Sequence, residues 1–571
     1  LNALPTMMLA FYEKIFLDLD NQSPSERSAN KLNANYVNKR SLSEGLKFIS
    51  NTLPELGKAI EVSLITGKQV IVNQTFARRW RTKLPNFMYN YMKILFSADG
   101  HPLAPLNPEK EREQAYAYYC IRQVCLAFSK AEDVGCKVDD TAALQQFVER
   151  ITEQSVITAP SWLLNSARRI LKDLFYDEEG RLSPMLAQWV DQPYGRHGPG
   201  AVAEKETGLQ KWDFNKIPGM DPQLYQLQDR SKVKQPYSSS NTALPESRAI
   251  CVPKDFRSPR IICIEPKEFQ FAQQGLWRVL SALVQHDIFA RKAISFKNQE
   301  YNATLSRDSA YATIDLKDAS DRVSMRLCRL LLSKEVFALT TRYRSRKIRV
   351  NGQVITPTCF ASMGSAVCFP METLVFWAIA QAARDPRDRH LSTRVFGDDI
   401  IVPRGSAYMV IKALESCALK VNTGKTCVNT PIRESCGAYW FGKTDVRIVR
   451  FKHSSVESYP AWKATLDSCR WLNEALLAKT SYAMLLCLKD LWHVPFGHFG
   501  LPKSSDGFSC QSRWNQNLQR HEYRLPGYRV SREVGEFPTW AGLYAWLVGN
   551  SITAYAPADR KVEMHWTNDI T

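Results

Sequence analysis

Thr393-Arg394-Val395-Phe396-Gly397-Asp398-Asp399-Ile400-Ile401-Val402-Pro403 is the stretch whose reading decides the fold. An apolar run enters a Gly-Asp-Asp corner and a second apolar run leaves it, the pattern of a strand, a tight turn and a returning strand. Two adjacent carboxylates at such a corner are poor core material, because a buried unpaired charge is costly. They make sense where a cation sits on them. Taken alone, the tripeptide reads equally well as an ordinary turn, so the flanking segments must decide.

Upstream, Ala312-Thr313-Ile314-Asp315-Leu316 alternates like a strand, with Asp315 at its end. Lys317 to Asp321 then makes a turn and Met325 to Leu339 reads as a helix, so Asp315 and Asp321 flank a strand end, where α/β sheets place ligand-binding groups. A lone strand-end Asp is more often a helix cap; three carboxylates at strand ends of two separate segments shift the balance. Further upstream, Arg248 to Ile264 reads as two apolar strands joined by a basic turn. Lys254, Arg257 and Arg260 all fall in that turn and can converge on one anion, with a triphosphate or pyrophosphate the natural target. The alternative is an exposed charged hairpin.

Between these segments, Asn351-Gly352 separates two alternating runs, the signature of a hairpin from Lys347 to Thr356. Its basic flank, Arg342, Arg344, Arg346, Lys347 and Arg349, is placed to line a nucleic-acid channel. Ser362 to Ala366 is a small-residue loop and Met371 to Ala383 a helix, in which Glu372 reads as a buried carboxylate with a partner. Downstream come an amphipathic helix (Tyr408 to Ala418), a basic turn (Lys420 to Thr426) and a strand (Val446 to Phe451). Residues 1 to about 190 read as mostly helical, and the Trp-rich region from Lys452 onward as helical too. Within the first region, Phe76 to Lys83 interleaves aromatic and basic residues, which suits phosphate contact with base stacking as well as it suits a solvated helix face.

Composition narrows the function classes. The chain has 571 residues, 44% of them hydrophobic, enough for several subdomains. Its formal net charge of +18 suits a polyanionic partner, nucleic acid first and an anionic membrane second. No membrane span is expected: the most apolar long stretch, Val367 to Ala383, carries Pro370, Glu372 and Gln381. The apolar start, Leu1 to Tyr12, lacks a basic leader and meets Glu13 early, so no signal peptide is expected. The 14 Cys show no C-x-x-C pair, which excludes the common zinc spacings and leaves free thiols in a reducing cytoplasm. Gly437 to Thr444 fits the P-loop pattern in letters only, since its variable positions hold Tyr439, Trp440 and Phe441 where backbone N–H groups must reach a phosphate.

These parts are those of a two-metal nucleotidyl transferase. Two Mg²⁺ ions about 3.5–4 Å apart are held by carboxylates in such sites, and Mg²⁺ keeps several waters, so two or three Asp are enough. One ion lowers the pKa of a primer 3′-hydroxyl, and the other neutralises the triphosphate and the leaving pyrophosphate.

The order of segments resembles the right-hand polymerases, and in detail the replicase beta subunit of the leviviruses, small positive-strand RNA bacteriophages. The blocks are Val252-Pro253-Lys254 to Glu265-Pro266; Ala312 to Leu316 with Ala319-Ser320-Asp321; Ser362-Met363-Gly364; Phe396 to Ile401; Asn422 to Thr426; and Arg433 to Gly437. The resemblance runs from about Gly195 to Phe451.

It implies an α+β hand of fingers, palm and thumb, with an antiparallel palm sheet flanked by helices. Residues 1–240 would hold an N-terminal region and part of the fingers, 241–310 the fingers with the basic hairpin, 311–450 the palm, and 451–571 the thumb. Asp315 and Asp398 would be metal ligands for Mg²⁺ or Mn²⁺, with Asp399 completing the site. Asp321 and Asn422 would lie near the incoming ribose, Lys254, Arg257 and Arg260 would grip the triphosphate, and Lys425 would be the general acid. Ser365-Ala366 stand where familiar members carry Asn-Gly, which makes Ser365 the nucleotide-binding candidate there. Phe396 replaces the usual Tyr, and Pro370 occupies a position that is usually acidic.

The implied partners are RNA template and product and ribonucleoside triphosphates, in the cytoplasm of a bacterial host. Host elongation factors Tu and Ts and a small-subunit ribosomal protein join the best-known members. Two other readings stand beside this one: the replicase of a related simple RNA virus of the narnavirus or ourmiavirus lineage, and a non-enzymatic RNA-binding protein. The second accounts for the positive charge but not for acidic strand ends in a basic chain.

Overall fold

A computed structural model describes residues 6–22, 26–132, 138–191, 195–207, 210–211, 246–255, 257–456, 459–492, 512–517, 520–528 and 562–567. Residues 212–245 lie outside them, as do Phe256, Trp540 and Trp546.

The first third is helical, as its patterning predicts: α1 (Thr6–Gln22), α2 (Arg27–Glu44), α3 (Leu53–Thr66), α4 (Tyr89–Leu95), α5 (Pro108–Leu126), α6 (Asp140–Thr152), α7 (Ser161–Phe175) and α8 (Pro184–Asp191). Local signals set the ends. Asn107 and Asp139 accept from backbone N–H groups in the first turns of α5 and α6, and Pro108 opens α5 where no N–H is needed. Phe76 to Lys83 is not a helix face but a loop, fixed by an isolated bridge between Arg78 and Pro85.

The middle is mixed. Strands β1 (Ser247–Val252) and β2 (Arg260–Ile264) form the expected antiparallel hairpin. Helices α9 (Lys267–His286), α10 (Ala290–Ala293) and α11 (Glu300–Leu305) follow, then β3 (Tyr311–Ile314), α12 (Ala319–Arg322), α13 (Met325–Leu331) and α14 (Lys334–Thr341). The single helix expected over Met325 to Leu339 is thus two, because Ser333 breaks it and caps the second by accepting from the Val336 N–H. Strands β4 (Ile348–Val350) and β5 (Gln353–Ile355) close on Asn351-Gly352, both with positive φ, and β4 runs parallel to β1.

Next come α15 (Cys368–Ala382), β6 (Arg394–Phe396), β7 (Asp399–Pro403), α16 (Ala407–Ser416), and a sheet of β8 (Ile432–Ser435), β9 (Ala438–Phe441) and β10 (Thr444–Asp445). Gly437 to Thr444 is therefore hairpin, not phosphate cradle. The strand expected over Val446 to Phe451 is absent. Its backbone groups find α5 side chains and loop carbonyls instead of a ladder: Arg122 donates to the Val446 carbonyl (2.6 Å), Gln123 to that of Val449 (3.0 Å), and the Phe451 N–H donates to the Ala127 carbonyl (2.8 Å).

Helices α17 (Tyr459–Glu474) and α18 (Ala478–Trp492) fit the expected helical C-terminal region, but three strands do not: β11 (Ser512–Asn515), β12 (Arg520–Tyr528) and β13 (Val562–Thr567) pair antiparallel. Pro526 and Gly527 sit inside β12, residue types that weaken any strand reading from local sequence. No helix among the described residues is long and apolar enough to cross a membrane.

Two main cores result. One gathers α7, α9, α15, α16 and β3, β6 and β7 around α15, which is buried on nearly every side because it is apolar all round. The other joins α1, α3 and α5 to Phe441, Phe451, α17 and α18. Asp18 on α1 caps α18 from 462 positions away, accepting from the Thr480 N–H and hydroxyl, each at 2.7 Å.

Candidate active site

Strand β7 lies between β3 and β6 in an antiparallel three-stranded sheet. The register pairs Ile314 with Ile400 and Phe396 with Asp399, so the residue after β3, Asp315, meets the Gly397-Asp398-Asp399 corner. Both β3 and β7 read as apolar and both are buried, which fixes this register, since a one-residue slip would turn every side chain over. Gly397 holds a left-handed φ of 61°, and a Cβ there would lie 2.5 Å from the Phe369 ring. Its N–H donates to the Thr373 hydroxyl at 3.0 Å, tying the turn to α15.

The edge of β3 opposite β7 is lined by the turn from Lys420 to Cys427, which bridges Thr313 to Cys427 and Leu316 to Val421. This brings Asn422 and Lys425 to Asp315. Asn422 donates to Asp315 Oδ2 at 2.7 Å and Lys425 Nζ to Oδ1 at 3.3 Å. Burial alone would lower the Lys425 ammonium pKa, but Asp315, Glu434 and Tyr439 outweigh it and raise it. Ser435, at the end of β8, donates to Asp399 at 3.4 Å.

The corner is electrostatically loaded. Burial and the neighbouring Asp315 raise the pKa of Asp398. Burial and Asp398 push Asp399 up to about 6. Glu434, on β8, is pushed up to about 7 by burial and by Asp399. Glu372, on α15, is pushed up to about 8 by burial, with Asp398 and Asp321 adding to it and the Ser320 hydroxyl, 2.6 Å away, opposing. Its partner is thus Ser320.

Against this acid stands the β1–β2 turn. Arg260 and Lys425 both favour the charged form of Asp398. Burial, then Arg260, then Lys425 lower the Lys254 ammonium pKa, while Asp255 and Asp398 act the other way. Lys254, Arg260, Lys425 and the aspartates therefore share one site. Arg257 is exposed, and its backbone carbonyl is held by the Val138 N–H.

The remaining candidates have partners of their own. Asp321 pairs with Arg150 of α6 at 3.5 Å and is pushed up to about 6, by burial first. Ser365 is buried and its hydroxyl donates to Gln273 at 3.0 Å, behind Gly364, where a Cβ would collide with the Cys263 carbonyl. Of the basic flank of β4, Arg344 is buried against the Cys359 carbonyl and Arg349 pairs with Glu246.

Among the described residues no three His, Cys, Asp or Glu side chains close into a group able to hold a metal ion. The donor set nevertheless fits a hard divalent cation. It offers carboxylate oxygens only, and beyond burial Asp398 is raised by the charge of Asp315 and Asp399 by that of Asp398, a penalty that a cation removes. Lys425 supplies the positive charge beside Asp315 in the arrangement seen here.

Residues 223–466 match the family model described as RNA replicase, beta-chain. Across this segment the chain resembles the leviviral replicase beta subunit. It is 36% identical over 212 residues to the RNA-directed RNA polymerase subunit beta of Enterobacteria phage SP, covering 36% of each chain. It is 34% identical over 200 residues to the RNA-directed RNA polymerase beta chain of Escherichia phage MS2, covering 34% of this chain and 36% of that one. The alignments thus span little more than a third of those relatives' length. A crystal structure of the RNA-dependent RNA polymerase of a human picorbirnavirus aligns over 61% of this chain and 72% of that one, with 14% identity and a TM-score of 0.37.

Every residue of the acidic corner and its basic counterpart falls inside the replicase-like segment. Reading the sequence missed Thr373, Glu434 and Ser435 as parts of the corner. Glu434 and Ser435 carried a signal, since they stand inside one of the blocks shared with the replicases; Thr373 carried none, because a Thr inside an apolar helix has no pattern of its own.

Proposed function

We propose that this chain is an RNA-directed RNA polymerase that copies a positive-strand RNA virus genome in the cytoplasm of a bacterial host. The observation that carries the reading is the β3–β7 register, which sets Asp315 against Asp398 and Asp399 in a site shared with Lys254 and Arg260. In the hand that this reading implies, residues 241–310 belong to the fingers, 311–450 to the palm and 451–571 to the thumb. Asp315 and Asp398, with Asp399, would hold two Mg²⁺ or Mn²⁺ ions, which when bound activate a 3′-hydroxyl and neutralise the triphosphate.

The chain's own groups do the rest. Lys254 and Arg260 bind the triphosphate by charge-assisted hydrogen bonds, and Arg257 joins them from the exposed part of the same turn. Asn422 orients the Asp315 carboxylate and reaches toward the ribose. Lys425, kept protonated by Asp315, carries the proton that the departing pyrophosphate needs. Asp321 and Ser365 position the nucleotide through their partners Arg150 and Gln273.

The test is incorporation of labelled ribonucleotides on an RNA template with Mg²⁺ or Mn²⁺, with and without bacterial extract. Synthesis only with extract points to host subunits such as elongation factors Tu and Ts and a small-subunit ribosomal protein. Synthesis from deoxynucleotides alone, or none under any condition while RNA still binds, defeats the reading.

A further inference from the structure

We infer that the loop from Phe76 to Lys83 is a second RNA-binding site, a platform for single-stranded RNA outside the acidic corner. The inference stands apart from the reading of that corner, because it needs binding and no chemistry.

The loop is built on buried anchors and shows mainly cationic and aromatic groups outward. Phe76, Leu84 and Phe87 are buried, while Arg78, Arg79, Trp80, Arg81 and Lys83 are exposed, Trp80 at 77%. A tryptophan open to that degree gives up a large burial gain, so a sequence that keeps one on a firm loop is offering it to a partner. The loop is firm. The Arg79 N–H donates to the Leu84 carbonyl (2.9 Å), Lys83 to Ala98 (2.8 Å) and Asn86 to Ala77 (2.7 Å). Arg81 is held at a φ of 57°, a left-handed conformation that a non-glycine residue rarely takes. That turn lays its guanidinium 4.0 Å from the Trp80 ring centroid.

The charge of the loop is also unspent. None of its four basic side chains ion-pairs with a carboxylate among the described residues. No Asp or Glu occurs from Val62 to Ala98. Some surface cations elsewhere on the chain do take carboxylate partners, as Arg181 does with Asp177 and Arg447 with Asp445.

A flat exposed indole with a guanidinium on one side, among further cations that no carboxylate neutralises, matches single-stranded RNA. A base stacks on the open part of the ring and the flanking phosphates meet the cations. Duplex RNA keeps its bases paired and stacked on one another, out of reach of the indole. An anionic membrane would satisfy the same charge, and it is made an arm of the test.

Fluorescence anisotropy of a labelled 12-nucleotide oligouridylate, titrated with the full chain, measures the site. Trp80→Ala is expected to weaken binding about 5- to 100-fold, with Trp80→Phe recovering most of it, since only stacking is shared by those two residues. Replacing Arg78, Arg79, Arg81 and Lys83 together by Ala is expected to lower the salt dependence by about 0.7 in slope for each phosphate left without its cation. A 4-thiouridine oligonucleotide is expected to crosslink to the peptide that contains Trp80. Unchanged melting temperatures of the variants exclude a folding defect. Binding of the RNA by Trp80→Ala at the wild-type level, crosslinks confined to other peptides, or loss of binding only to phosphatidylserine vesicles and not to RNA would each overturn the inference.

Discussion

Two hairpins carry opposite charge and solve opposite problems. The β1–β2 turn holds Lys254, Arg257 and Arg260 at a rim open to solvent, where desolvation and the charge of Arg260 lower the Lys254 ammonium pKa. The β6–β7 turn holds Asp398, open at the surface, and the half-buried Asp399 against a buried helix and a buried sheet, where desolvation and the neighbouring aspartates raise both pKa values. Exposure lets long basic side chains wait for an anion without strain. Desolvation and repulsion between neighbouring carboxylates make the acidic turn costly to ionise until something positive reaches it. Under the proposed function the first would meet an anion and the second a cation.

The predictions test that contrast, beginning with the largest effect. Asp398→Asn is expected to lower ribonucleotide incorporation by at least about 10³-fold, because an amide cannot neutralise a divalent ion, while the anisotropy of bound RNA stays near wild type. Retained synthesis would remove the acidic corner from the chemistry. Next, Lys254→Ala with Arg260→Ala is expected to raise the KM for nucleotide about 10- to 100-fold with a smaller change in kcat, as expected for groups that hold the triphosphate throughout. A pure kcat effect would instead place them at the reacting atoms.

Third, Glu372 lies beneath the corner with its pKa raised from an ordinary 4.5 to about 8. For such a group the folded state binds the proton more tightly than the unfolded one, so its contribution to stability is intact below pH 4.5 and is lost as pH rises toward 8. Glu372→Gln keeps an acceptor for Ser320 without that loss. The variant should match wild type in urea unfolding near pH 4.5 and exceed it by a few kcal/mol, in order of magnitude, near pH 8.

The smallest effect is a ligand shift. Asp399 titrates near 6, raised from 3.8, so it loses stability in the same direction between those values. A divalent cation binds only the ionised form. Mg²⁺ at about ten times its Kd should therefore add roughly 1.4 kcal/mol at about pH 7.5 and almost nothing at about pH 5, read as a shift in melting temperature. An equal shift at both pH values would mean that the ion binds elsewhere.

The legible parts of this molecule are those where local chemistry and tertiary placement agree. Gly397-Asp398-Asp399 and Asn351-Gly352 each specify a turn by themselves, alternation marks β3, and unbroken apolar runs mark both basic-turn strands. Asp315 stands out only beside the Asp398-Asp399 pair, since a lone Asp at a strand end is more often a helix cap. The rest depends on distant partners. Val446 to Phe451 reads as a strand, yet α5 side chains and a loop carbonyl take its hydrogen bonds, and nothing local announces that. Strand β12 contains Pro526 and Gly527 and is defined only by neighbours on both sides. Asp321 and Ser365 read as free polar groups until Arg150 and Gln273, remote in the chain, are seen to hold them.

The Asp18 cap on α18 bears on how the chain is made. On the ribosome α1 emerges long before α18, yet α18 completes its surroundings from 462 positions further on. Helix α2 and the end of α5 with Phe128 cover part of α1 early, but the side that packs on α18 stays open until Thr480 is out, an apolar surface exposed through most of translation. Any truncation short of α18 releases a product prone to aggregate, whatever the state of the sheet that carries Asp398.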